Sequence, residues 1–143
     1  MSWNGNWVVW ALLSAVFAAA TAILAKVGVA HVDSNLATAI RTTVVVVFAW
    51  SIALALGKHG EIAQVDGRAW LFLCLSGLGT GLSWLCYFRA LQLGPASRVA
   101  PLDKLSVVLV MVFAVMFLGE KMSLGAMIGG GLIAAGAVVM VLA

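Results

Sequence analysis

Charge is what this sequence has least of. Only 9% of its 143 residues are Asp, Glu, Lys or Arg, against about 25% in soluble domains. Together with 64% hydrophobic residues and a mean hydropathy of +1.16, that scarcity excludes a soluble globular domain and leaves an integral membrane protein. The formal charge of +3 is spread singly along the chain. It forms no basic patch, so nucleic acid is excluded as an expected partner.

Cysteine is nearly absent. Cys74 and Cys86 fall in one predicted helix, twelve residues apart, which a helix converts to about 18 Å. They cannot bridge one another and are expected as free thiols packed like small apolar groups. No CxxC or Cys/His cluster suggests a metal, and no cofactor is expected. HExxH, a nucleophile elbow and paired carboxylates are all missing, so an enzyme is not expected. Gly77-Leu78-Gly79-Thr80-Gly81 lies inside an apolar stretch and does not fit a phosphate loop. The opening residues Met1 to Asn6 contain no Lys or Arg. A cleaved signal peptide needs a basic n-region, so the first apolar segment is expected to be a permanent span.

What the chain has is long apolar runs. A helix needs about 20 predominantly apolar residues to cross a bilayer. Five windows qualify, at about 7–25, 36–56, 69–91, 99–118 and 123–142. The runs are continuous, without the alternation of barrel strands, so the expected fold is all-α with five transmembrane helices. Connections are short: Lys26 to Asn35, Gly57 to Arg68, Gln92 to Arg98 with its Gly94-Pro95 turn signal, and Gly119 to Met122. None is large enough to be a separate domain, and residues 1–143 read as a single domain. Trp7, Trp10, Trp50 and Trp70 fall near span ends on one side, where an interfacial aromatic belt lies.

Five spans put the two ends of the chain on opposite sides. Peripheral cations on the N-terminal side are Lys58, Arg68 and Lys121, and those on the other side are Lys26, Arg89 and Arg98, three against three. The positive-inside rule therefore selects no orientation, and insertion both ways round is open.

The few polar residues within the spans are patterned. Ser14 and Thr21 on the first span, Thr38, Arg41 and Thr42 on the second, and Ser76, Thr80, Ser83, Trp84 and Tyr87 on the third recur at steps of three and four. Such spacing places each set on one helix face. Taken singly, each hydroxyl is as well explained by helix–helix bonding or by a bond to its own backbone. Taken together with Arg41, Asp103 and Lys104, they point to a polar cavity. A charge at the centre of a span costs roughly 2.5–3.5 kcal/mol on insertion scales, and such residues usually mark a path for solutes, ions or protons. Arg41 and Asp103 lie at comparable depth and are expected to be able to pair. The alternatives are a satisfied structural pair or snorkelling of Arg41 and Lys104 to the interface. The half of the membrane holding them carries five cations (Lys26, Arg41, Arg89, Arg98, Lys104) and two anions (Asp33, Asp103), a surplus that suits an anionic group on a substrate. Pro101 either opens the fourth helix, its favoured first position, or kinks a helix that begins nearer Ser97. The fifth span carries no charge but Gly125, Gly129, Gly130 and Ala134. With Gly77 and Gly81 on the third span, these are small-xxx-small positions suited to close helix packing or a dimer contact.

The second half of the chain has Tyr87-Phe88-Arg89-Ala90-Leu91, then Pro101, then the Gly119-Glu120 turn and a glycine-rich last helix. This order resembles the EamA family of the drug/metabolite transporter superfamily, and Pro101-Leu102-Asp103-Lys104-Leu105-Ser106 resembles its short five-span members. The resemblance implies half of a ten-helix inverted-repeat transporter, so that two copies, possible in antiparallel arrangement, make the working unit. Related four-helix exporters carry a membrane-embedded Glu on their first helix. This chain has no acidic residue there, which leaves Asp103 as the candidate carboxylate within a span. The resulting expectation is a secondary transporter exporting a small metabolite or amino-acid-like compound across a bacterial inner membrane. Its substrate site is expected at Thr38, Arg41, Thr42, Thr80, Trp84, Tyr87, Asp103 and Lys104. A lipid flippase and a non-transporting membrane subunit are the alternatives.

Overall fold

A computed structural model describes residues 6–143, with the side chain of Asn6 excepted. The reading of the opening residues therefore lies almost wholly outside the described residues. The described chain is helical: α1 (Asn6–Gly28), α2 (Ser34–Ala55), α3 (Gly67–Leu93), α4 (Ala96–Asp103), α5 (Leu105–Leu118) and α6 (Leu124–Leu142), with a 3₁₀ turn at Lys58–Gln64. Five stretches are long and apolar enough to cross a membrane, α4 and α5 together forming the fourth, Ala96–Leu118.

The helices run further than the apolar windows, for local reasons. At the start of α2 the Asp33 carboxylate accepts from the amides of Asn35 (2.9 Å) and Leu36 (3.2 Å). This cap satisfies donors that a helix start otherwise leaves open and moves the start to Ser34, ahead of the apolar window. Asp66 does the same for α3, accepting from the amide of Ala69 at 3.1 Å. At the other end, α3 continues to Leu93 until Pro95, which disfavours helical backbone in the residue before it. Replacing Asp33 with Ala is expected to lower stability by about 1 kcal/mol, read as a lower melting temperature in the same detergent.

The chain divides into two compact units, one comprising the segment up to Lys26 with Leu93–Ala143, the other Val27–Gln92. In the first, α6 packs against α4 and α5. The contact is tight at Gly130, where a Cβ would stand 2.8 Å from Met111 Sδ. Lys26, in the last turn of α1, donates to the Gly94 carbonyl at 2.8 Å. The fourth span resolves the two readings of Pro101 in favour of an interrupted helix. The span starts at Ala96 with Pro95 as its cap residue, and Pro101 lies inside it. Having no N–H, Pro101 leaves the Ser97 carbonyl without its helical donor. The ladder then tightens around Lys104, whose amide reaches Pro101 O at 3.0 Å and whose carbonyl receives Val107 N at 3.0 Å.

In the second unit, Gln92 fastens the connection into α2. Its Nε2 donates to Val32 O at 2.6 Å and Val29 O at 3.4 Å, while its Oε1 accepts from Arg89 Nη1 at 3.1 Å. Phe88, Leu91, Val29, Ser34 and Thr38 are the buried residues of this unit. Cys74 and Cys86 are free, as expected, but exposed on α3 and not packed, because the helix turns those faces away from protein neighbours. The belt tryptophans Trp7, Trp10, Trp50 and Trp70 are exposed as well.

Candidate functional site

The site builds from two helix faces within the second unit. On α2, Thr38, Arg41 and Thr42 lie near the N-terminal end, and on α3, Trp84 and Phe88 are one turn apart. The Arg41 guanidinium lies over the Trp84 ring, Cζ to centroid 4.3 Å, and 5.4 Å from the centroid of Phe88. A cation over an aromatic face is attracted by the ring quadrupole, by about 0.5–2 kcal/mol as water is withdrawn. The rings thus hold the cation by its faces, and Tyr87 of α3 interacts with it electrostatically. No carboxylate of this unit competes for the guanidinium. Asp33 caps α2, Asp66 caps α3, and Glu61 pairs with Lys58.

Between α2 and α3 runs a groove of about 430 Å³, lined by Asn35, Thr38, Thr42 and Thr43 from α2 and by Gly81 and Leu85 from α3. Ala39, Val46 and Val47 complete it. Its threonines are less polar than the sequence suggests. Thr38 Oγ1 donates to Ser34 O (2.8 Å), Thr42 Oγ1 to Thr38 O (2.8 Å) and Thr43 Oγ1 to Ala39 O (3.0 Å). Each hydroxyl proton goes to a carbonyl one turn back, the local bond that Ser and Thr make within helices. What remains toward the groove is methyl groups and oxygen lone pairs.

The remaining predicted site residues fall as follows. Thr80 is exposed on α3 and donates to Ser76 O at 3.0 Å, while Tyr87 is half-buried on the same helix. Arg41 and Asp103, expected to be able to pair, each have a partner inside their own unit. For Asp103 this is Lys104, Oδ2 to Nζ 3.6 Å, at the break in the fourth span, with both side chains largely exposed. Of the small residues read as packing positions, Gly130 makes a tight contact and Ala134 is half-buried. A Cβ at Gly77, Gly81 or Gly129 would meet nothing within 4 Å, and one at Gly125 only Ser123 Oγ at 3.9 Å. Two residues escaped the sequence reading. Phe88 stands four residues after Trp84, the step that puts both on one face, and that spacing was the available signal. Gln92 carried no signal, since nothing local in the sequence marks a side chain that binds backbone about 60 residues away.

Helices of this length and hydropathy, with a held cation in one membrane half, define a multi-pass membrane protein with a candidate solute site. The chain matches the EamA-like transporter family over residues 5–142, and it belongs to that family. It is 56% identical over 135 residues to a protein of Sinorhizobium sp. named as an uncharacterized transporter in the cobO 3′ region, covering 94% of this chain and 96% of that one. No solved structure matches it.

Proposed function

We propose that this chain is a secondary transporter, exporting a small metabolite across a bacterial inner membrane, and that two copies form the working unit. The observation that carries the reading is Arg41: a guanidinium within a span, stacked on Trp84 and Phe88, with no carboxylate partner among the described residues of its unit. A residue this costly to insert, held in place without being neutralised by its own unit, suits a group that meets solute. Membership of a transporter family supports the same conclusion.

The whole of residues 1–143 is taken as one transmembrane domain, equivalent to half of a ten-helix inverted repeat. The balance of three peripheral cations on each side permits antiparallel pairing. Gly77, Gly81, Gly125 and Gly129 are assigned to contacts with the second copy, which the open space around them supports. Arg41 orients the substrate, with Thr38, Thr42, Thr80, Trp84 and Tyr87 around it. Asp103 and Lys104 contribute the ionic pair of the fourth span to the transport path. Movement of one copy against the other supplies alternating access.

Thiol labelling tests the wet path this requires. In a background with Cys74 and Cys86 replaced by Ala, single cysteines at 42, 80 and 84 are expected to react with a membrane-impermeant maleimide far faster than one at Val44, an exposed apolar position. Equal protection at all four positions describes a dry bundle and favours a non-transporting subunit.

A further inference from the structure

We infer that the α2–α3 groove is a seat for one straight acyl chain of a phospholipid in the surrounding bilayer. This goes beyond the transport reading and starts from where the groove lies. Its α2 wall begins at Asn35, the second residue of the span Ser34–Ala55, and ends at Val47. The wall residues recur at steps of three and four, which keeps them on one face of α2. Twelve residues of helix are about 18 Å long. One leaflet, half of a hydrocarbon core about 30 Å thick, is close to that depth. The groove therefore runs from headgroup level to the neighbourhood of the bilayer midplane, the reach of one leaflet's chain.

Width selects the occupant. Spread over about 18 Å of helix, the volume of about 430 Å³ leaves a mean cross-section of about 24 Å². An α-helix with its side chains is about 10–12 Å across, roughly 80–110 Å² in section, so a helix of a second copy does not fit. A single alkyl chain, with carbon contacts near about 3.5–4.0 Å, does. Gly81 on α3 makes the room, since a Cβ there would meet nothing within 4 Å.

The chemistry of the wall selects hydrocarbon over water. Thr38, Thr42 and Thr43 donate their hydroxyl protons to carbonyls of their own helix. With Val46, Val47 and Leu85, they present a wall of methyl groups. A held water needs about two to four polar partners, and beyond Asn35 the side chains of this wall offer only threonine lone pairs. Moving from bilayer to groove brings a chain no hydrophobic gain, because lipid tails are as apolar as leucine. The gain is contact: an unfilled groove forfeits the dispersion attraction of its wall, and an unbranched chain follows that wall most closely. Selection is therefore by shape. Thr38 and Thr42 belong both to this wall and to the proposed solute path, so a seated chain and a solute exclude one another. Irreversible thiol labelling at position 42 then captures the state in which the chain has left.

The experiment uses the full chain in nanodiscs with a trace of phosphatidylcholine carrying a diazirine in one straight acyl chain. Adducts formed on irradiation are mapped by mass spectrometry and normalised to the same chain labelled in SDS. In a straight-chain phosphatidylcholine host, adduct density over residues 38–47 and 81–85 is expected to exceed that at Leu132 and Val139, exposed positions of α6, by about threefold or more. In a methyl-branched diphytanoyl host the groove adducts are expected to rise further relative to α6, because the host competes poorly. Gly81→Leu fills the groove from open space and is expected to remove the excess while α6 labelling stays unchanged. The wild-type comparison of the two hosts needs no variant to fold. Equal adduct density at the groove and on α6, an excess that survives Gly81→Leu, or no difference between the two hosts overturns the assignment. So does preferential labelling of the groove by a water-soluble diazirine, which describes an aqueous cleft, or protection of it with cross-links between copies, which describes a protein contact.

Discussion

Arg41→Ala is expected to reduce substrate-dependent flux in proteoliposomes by about a hundredfold or more, while the protein still elutes as a folded species from detergent. The magnitude follows from what is removed. Charge-assisted hydrogen bonds contribute about 1.5–3 kcal/mol each, a bidentate contact has two, and each 1.4 kcal/mol is a factor of ten. The effect on folding is smaller, since the stacking lost is about 0.5–2 kcal/mol and α2 retains its Asp33 cap. Arg41→Lys separates charge from geometry. An ammonium keeps the charge but presents no planar fork, so it is expected to recover only part of the flux. Unchanged flux in Arg41→Ala removes Arg41 from the transport path.

The second large effect is expected at Gly130. Leucine there must occupy space already held by the Met111 thioether, 2.8 Å from the Cβ position. Overfilling a packed contact costs about 1–3 kcal/mol, and here it forces α6 away from α5. The expected readout is a lower melting temperature and, in cells, less protein in the membrane. Alanine at the same position is expected to be far milder, because the end of a methionine side chain can swing aside. Gly129→Leu is the control. With open space around it within the chain, it leaves the monomer intact, and a loss of inter-copy cross-linking in that variant assigns its face to the second copy. If Gly129→Leu and Gly130→Leu lower the melting temperature equally, the packing described for α6 is wrong.

The span count was readable in the sequence because hydrocarbon admits so few solutions: a long apolar run has to be a helix, and its length follows from membrane thickness. Helix ends were less readable, because they are set by polar groups that hydropathy discounts. Asp33 was read as one charge in an ionic inventory, yet its carboxylate is spent on the amides of Asn35 and Leu36. Pro101 left two readings open, and the extra turn from Ala96 chose between them. At the candidate site, Arg41 and Trp84 were singled out by depth and spacing, and the guanidinium lies over the indole. The threonines were identified by position but not by chemistry, since a hydroxyl facing a groove and one folded onto its own carbonyl look alike in a sequence.

Among the described residues only seven side chains other than glycine are withdrawn from their surroundings, and two of those, Ser34 and Thr38, are polar. Most of the chain's apolar surface is therefore met by something other than itself. Its cohesion is set by the lipid or neighbouring helix that wets it, so bilayer thickness and acyl composition act on this protein as directly as a core mutation acts on a water-soluble one.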